Sequence, residues 1–234
     1  MSKLAVITGG TKGIGKAILE KFSSSGFDIA TCSRKEADLL ALKKEVTTKY
    51  GCEVFTIRAD LSQSEDAKLF TDFVLKLKYP IHALVNNAGY FTPGQVTTES
   101  DGVLETMIRA NLYSAYHTTR GLVSAMKAQG YGHIFNLCSI ASITAYPNGG
   151  SYAISKAALL SFSKVLREEL KKSGIRVTAV LPGATRTSSW DAVALPEERF
   201  MKTEDVADAV YAAFGLSTRS VVEELLIRPQ LGDI

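Results

Sequence analysis

Short runs of β-branched and apolar residues alternate along this chain with longer segments of helical periodicity, and this alternation restricts the fold more than any other feature. The runs fall at 4–8, 28–33, 53–58, 82–86, 131–138, 176–181 and 222–227, with helical segments at 13–25, 35–50, 63–77, 101–127, 150–173 and 203–214. Most runs are nearly continuously apolar, as in Leu4-Ala5-Val6-Ile7. A strand covered by helices on both faces reads this way, whereas a strand with one wet face alternates. Strand–helix–strand order with right-handed crossovers then gives an α/β fold, a doubly wound parallel sheet of about seven strands with helices on both faces. Gly26 and Gly174 stand where C-cap glycines close two helices, and Thr203 before Glu204 and Asp205 reads as an N-cap.

The 234 residues suit a single domain, 1–234, and 46% hydrophobic with 22% charged residues excludes wholesale disorder. A net charge of +3, with basic residues interleaved among acidic ones, gives no nucleic-acid surface. No apolar run reaches the roughly 18 residues of a membrane span, and Met-Ser-Lys leads directly into the first strand, so a cytoplasmic protein is expected. Cys32, Cys52 and Cys138 are odd in number and far apart, which fits reduced, buried thiols and neither disulfides nor zinc. His82, His117 and His133 are scattered and suggest no metal site.

Ligands of such sheets gather beyond the carboxyl ends of the strands. After the first run comes Thr8-Gly9-Gly10-Thr11-Lys12-Gly13-Ile14-Gly15, opening a helix. Glycines there let backbone N–H groups approach a phosphate closely. Residues 10–16 satisfy G-x-x-x-x-G-K, but Ala17 lacks the hydroxyl that holds magnesium in a nucleotide triphosphatase loop. The strict G-x-G-x-x-G pattern fails as well, leaving T-G-x-x-x-G-x-G. The second run ends in Cys32-Ser33-Arg34-Lys35 instead of an acidic residue. An arginine there accommodates a 2′-phosphate where a carboxylate would bond a ribose hydroxyl, which favours NADP(H) over NAD(H), with Ser33 and Lys12 as further partners.

Tyr152 and Lys156 stand one helical turn apart, so the ammonium can reach the phenol. A phenol near pKa 10 exchanges protons poorly at neutrality, and a cation about 4 Å away would lower it by roughly 3 units at an effective dielectric near 20. The spacing therefore predicts a tyrosine acting as acid or base on a hydroxyl or carbonyl. Ser139 lies thirteen residues upstream, at the end of the fifth run.

In order and over nearly its full length the chain resembles the short-chain dehydrogenase/reductase family, with its Rossmann-like fold. The resemblance rests on Thr8-Gly9-x-x-x-Gly13-x-Gly15, Asp60, Asn86-Asn87-Ala88-Gly89, Asn111, Ser139, Tyr152-x-x-x-Lys156 and Pro182-Gly183. It implies hydride transfer between a nicotinamide and a small alcohol or carbonyl substrate. Tyr152 would be the acid–base group, Ser139 would hold the substrate oxygen, Lys156 would lower the phenol pKa and bond the ribose, and Asn111 would hold a water linking Lys156 to solvent. Asp60 and Leu61 would lie at the adenine. Asn87, Ala88 and Gly89 would flank the cofactor, and Pro182, Gly183, Thr185 and Thr187 would pass the nicotinamide. The family also implies a homodimer or homotetramer through the helices at 101–127 and 150–173.

Two departures bear on the substrate. Members that reduce 3-oxoacyl groups on acyl carrier protein commonly end in T-G-x-x-x-x-V-D-G-G, whereas this chain ends with Val221-Val222-Glu223-Glu224-Leu225-Leu226-Ile227-Arg228-Pro229-Gln230 before its last residues. The expected substrate lid, about 188–202, is short and holds Trp190. Both point to compact members acting on small alcohols, aldehydes, ketones or 3-hydroxy acids, with the 3-oxoacyl reductase and an NADP(H)-sensing binding protein as alternatives. Tyr90, Phe91, Tyr146 and Asn148 are further candidates for the pocket wall.

Overall fold

All seven apolar runs become strands of one parallel sheet in the computed structural model, which describes residues 3–191 and 194–233. They are β1 (Lys3–Thr8), β2 (Phe27–Ser33), β3 (Val54–Arg58), β4 (Ile81–Asn86), β5 (Gly132–Leu137), β6 (Ile175–Pro182) and β7 (Glu224–Ile227). The helices are α1 (Gly13–Ser24), α2 (Glu36–Tyr50), α3 (Ser64–Lys76), α4 (Val103–Ile108), α5 (Ser114–Gln129), α6 (Gly150–Leu170) and α7 (Thr203–Phe214). Strand order is β3-β2-β1-β4-β5-β6-β7, so the winding reverses between β1 and β4. Within the expected lid, Ala192 and Val193 lie outside the described residues.

Side chains of β1 alternate between two cores, as the period of two in a strand requires. Ala5 and Ile7 pack with Ile18 and Phe22 of α1 and Val206 and Val210 of α7. Leu4 and Val6 pack with Phe70 of α3, Leu122 of α5 and Leu166 of α6. Burying each large apolar side chain fully contributes about 1.5–3 kcal/mol, which explains why Leu4 to Ile7 of β1 are apolar on both faces.

Several boundaries differ from the sequence reading by a few residues, and three differences have a local cause. The helix expected at 101–127 is divided: α4 starts after Gly102, whose φ of 87° only glycine adopts readily, and a π-helical turn at Arg109–Tyr113 separates α4 from α5. That turn carries the fully buried Asn111, whose bonds to other elements are described below. Thr203 is the first residue of α7 and not its cap; the Lys202 N–H is taken by the Asp205 carboxylate at 3.2 Å, while the Thr203 hydroxyl bonds Glu204 at 3.1 Å. The last strand starts at Glu224 and not at 222, because the Val222 carbonyl accepts the Thr178 hydroxyl at 2.6 Å. Gly26 and Gly174 do take left-handed backbone after their helices, with φ of 79° and 72°. All three cysteines are buried free thiols.

His133 sits in β5 with no solvent exposure, its ring stacked on Phe135 at 3.9 Å between centroids. Since Thr178 gives its proton to Val222, the imidazole Nε2 donates to Thr178 at 2.7 Å, and Nδ1 is left without a partner. Burial, assisted by the Arg176 charge, pushes this histidine down to about 2. The folded pKa lies below the unfolded one near 6.5, so stability is complete above that value and is lost as pH falls and the unfolded chain takes up the proton. From pH 7 to pH 5 the loss is about 2 kcal/mol. Denaturant unfolding of the unaltered chain is expected to lose that much more over this range than His133→Gln does, and parallel pH dependence in the two proteins would refute the assignment.

Candidate active site

Where β1 and β4 part, the loops after the strands enclose a cavity of about 920 Å³. Of the residues expected at the site and its wall, all line it except Gly15 and Asn111, which lie one layer behind, and Asn148, which is exposed and bonded to Gly94 and Gln95. The glycine loop is held in place by the strand next to it. Thr8 Oγ1 accepts the N–H groups of Asn87 and Ala88 at 3.0 and 2.9 Å, and Asn87 Nδ2 donates to the carbonyls of Thr8 and Gly9 at 3.0 and 3.1 Å. A Cβ at Gly15 would collide with that amide, and Gly9 and Gly13 adopt φ of 65° and 53°. The glycines thus serve close packing as well as the turn. Helix α1 begins at Gly13 with no side-chain cap, and Lys12, Gly13 and Ile14 line the cavity. Uncapped first-turn N–H groups and the positive end of the helix dipole there suit a phosphate anion.

At the β2 end, the Thr11 hydroxyl points to Ser33 Oγ at 3.5 Å, and Arg34 lies exposed on the cavity rim. Lys12 pairs with Asp38 at 3.3 Å, an exposed contact of small energetic weight. Arg58 was not apparent from the sequence. Strand register sets it opposite Ser33, and its Nε donates to the Arg34 carbonyl at 3.1 Å. Asp60 forms an Asx turn, accepting the Ser62 N–H at 3.1 Å and hydroxyl at 2.8 Å, while Leu61 is buried against the cavity. Asp60 thus shapes the chain leading into α3, whose N-cap is Gln63.

Tyr152 and Lys156 lie in the first two turns of α6, and Ser139 follows β5. The three meet at the cavity wall. Burial pushes the Tyr152 phenol up to about 12, with a hydrogen bond from Ser139 acting in the opposite direction. Lys156 is 6% exposed, and burial pushes its ammonium down to about 8. Its Nζ donates to the Leu137 carbonyl at 2.6 Å and lies 5.7 Å from the centre of the Tyr152 ring. The expected lowering of the phenol by Lys156 is therefore not what this geometry gives. The ammonium is held by a strand carbonyl, and desolvation of the phenol outweighs the effect of its charge.

The Asn111 side chain joins two elements of the site wall. Its Oδ1 accepts the Tyr90 N–H at 2.7 Å, and its Nδ2 donates to the Tyr90 carbonyl and to Ser155 Oγ, both at 2.9 Å. With both ends of the amide engaged, it ties the loop after β4 to α6. A Cβ at Gly89 would lie 2.8 Å from Asn111 Oδ1 and 3.5 Å from Lys156 Nζ, so this position must be glycine. Asn86 is purely internal, donating to Thr119 at 2.9 Å and Asn136 at 2.8 Å.

Phe91 meets Tyr152 edge-on at 4.9 Å, and Tyr146 lines the cavity nearby with its ring exposed. After β6, Gly183 gives its N–H to Ile227 at 2.8 Å, Thr185 bonds the Gly183 carbonyl at 3.0 Å, and Thr187 packs on Gly13. Trp190 lines the cavity and stacks edge-on against Phe200 at 5.3 Å, so its packing partner is another part of the same segment. Glu99, 52 residues from its partner Ser151, gave no sign in the sequence of reaching the start of α6.

The short chain dehydrogenase family model matches residues 3–198. The sepiapterin reductase of Chlorobaculum tepidum is 32% identical, with 100% of this chain and 99% of that protein covered. Among solved structures, an alcohol dehydrogenase of Thermococcus sibiricus complexed with 5-hydroxy-NADP superposes with a TM-score of 0.90 at 28% identity, covering 98% of this chain and 97% of that one. The L-sorbose reductase of Gluconobacter frateurii, complexed with NADPH and L-sorbose, gives 0.89 at 28% identity over 97% and 95%. Fold and relatives agree, and the chain belongs to the short-chain dehydrogenase family of oxidoreductases.

Proposed function

We propose that this protein is an NADP(H)-dependent reductase that interconverts a small ketone or aldehyde and its alcohol, with Tyr152 as the acid–base group. The observation that carries this reading is a single cavity joining Ser139, Tyr152 and Lys156 at one end to an uncapped helix N-terminus and Arg34 at the other. The solved relatives complexed with NADPH and 5-hydroxy-NADP support it.

The residues present fit the dinucleotide. The first turn of α1 receives its diphosphate, and Arg34 with Ser33 receives the 2′-phosphate. Asp60 and Leu61 border the adenine, while Pro182, Gly183, Thr185 and Thr187 border the nicotinamide. Bound there, the dinucleotide supplies the hydride, and the protein supplies position and electrostatics. Ser139 orients the carbonyl oxygen by a hydrogen bond, and Tyr152 gives that oxygen a proton. A phenol held near 12 stays protonated at neutral pH, ready to donate. Lys156, while still an ammonium, offsets the charge left on the phenolate.

The segment at about 188–202 acts as a short lid over the substrate end, with Trp190, Phe91 and Tyr146 as apolar walls. The domain extends over 1–234. Exposed Tyr113, Tyr116, Ile154 and Val165 on the π-turn, α5 and α6 supply apolar surface for a homodimer or homotetramer. Among the described residues no helix is long and apolar enough to cross a membrane.

Three outcomes follow from these assignments. Tyr152→Phe is expected to lower kcat for NADPH-dependent carbonyl reduction about a thousandfold while leaving NADPH affinity unchanged, and undiminished turnover would remove Tyr152 from the mechanism. Arg34→Ala is expected to weaken NADPH by ~2 kcal/mol, about thirtyfold in Kd, and NADH hardly at all; equal affinities in the unaltered protein would contradict the role of Arg34. Because Lys156 loses its proton near pH 8, kcat for reduction should hold level below that pH and fall about tenfold per unit above it, and a profile level to pH 10 would exclude the ammonium from the step.

A further inference from the structure

Helix α6 carries Tyr152 in its first turn, yet its own N-cap residue, Gly149, offers no side chain to the exposed N–H groups. The cap comes from elsewhere in the chain. Glu99, in the segment between β4 and α4, accepts the Ser151 N–H on Oε1 at 3.0 Å and the Ser151 hydroxyl on Oε2. A carboxylate at this end of a 21-residue helix is favoured by the helix dipole as well as by the hydrogen bonds.

The surroundings are shaped to this carboxylate. Gly150 has a φ of 43° and no space for a Cβ, which would collide with Glu99 Oε1 and with the Gly94 carbonyl. A Cβ at Gly94 would lie 2.6 Å from the same Oε1. The two segments are joined twice more, by the Gly94 N–H to the Asn148 carbonyl at 3.0 Å and by Gln95 Nε2 to Asn148 Oδ1 at 3.2 Å. Asn148 itself adopts left-handed backbone with a φ of 62°. The Glu99 segment is continuous with Phe91, the ring that meets Tyr152 edge-on.

We propose that Glu99 is a positioning residue: its carboxylate, by capping Ser151, locks the pocket wall carrying Phe91 to the first turn of the helix carrying Tyr152. Glu99 does not line the cavity and bonds Ser151, so it acts through that residue. This role rests on the reductase reading for its kinetic consequence but not for its structural one.

The test compares the unaltered full chain with Glu99→Ala, Glu99→Asp and Glu99→Gln. Hydrogen exchange is followed in the peptides covering 90–99 and 148–156, and NADPH-dependent reduction of 2,3-butanedione and a panel of aldehydes and ketones is measured. Alanine removes the cap and aspartate is one methylene too short, so both should exchange faster in both peptides and lose about tenfold in kcat with NADPH Kd unchanged. Glutamine keeps a carbonyl for the Ser151 N–H and should restore kcat to within about twofold of the unaltered chain. Exchange confined to one peptide, an unaltered kcat in Glu99→Asp, or glutamine no better than alanine would overturn the proposal. If the unaltered chain reduces none of the carbonyl compounds, the reductase reading fails, and the exchange comparison alone decides the Glu99 lock.

Discussion

The pairing of Thr8 with Asn87 across the gap between β1 and β4 is the contact on which the site depends. At this point the chain turns away to opposite sides of the sheet, leaving the glycine loop and the loop after β4 with no strand hydrogen bonds to join them. One hydroxyl and one amide replace those bonds, using four short contacts between residues 8–9 and 87–88. The glycine loop is thereby fixed at a distance that leaves no room for a side chain at Gly15, and the uncapped end of α1 faces the cavity. Polar groups spent on such a junction would be costly if half-satisfied in the interior, which is why the clamp uses both ends of the Thr8 hydroxyl and both protons of the Asn87 amide.

A second set of ties fixes α6, and with it the chemistry. Ser142 donates to the Lys156 carbonyl at 2.9 Å, Asn111 reaches Ser155, and Glu99 holds Ser151. Three separate segments therefore grip the first two turns of one helix. Burial that comes with this grip raises the Tyr152 phenol and lowers the Lys156 ammonium, so the two groups move in the direction that keeps both neutral. Position and proton affinity have the same cause here, the exclusion of water by the packed loops.

Much of this was legible in the residues themselves. Continuous apolar runs such as Leu4-Ala5-Val6-Ile7 announced strands buried on both faces, and the strand count, the doubly wound order and the buried thiols were found in the structure. The gathering of Ser139, Tyr152 and Lys156 followed from spacing and from a family resemblance. The π-turn at Arg109–Tyr113 was not legible, because α and π turns share one apolar pattern and the choice was made by the distant partners of Asn111. Arg58 was missed for a related reason: only strand register sets it opposite Ser33, within reach of the Arg34 carbonyl.

Sequence alone determined the layered α/β architecture and singled out Ser139, Tyr152 and Lys156 as candidates, since the first rests on local periodicity and the second on side-chain types at fixed spacings and on a family resemblance. Tertiary structure decided what those groups can do. The pKa of Tyr152 depends on how much water its neighbours exclude, the ammonium of Lys156 is claimed by the Leu137 carbonyl of an adjacent strand, and the helix bearing both is capped by Glu99 from 52 residues away. Such effects act through space between segments distant in the chain, and no local pattern of residues encodes them.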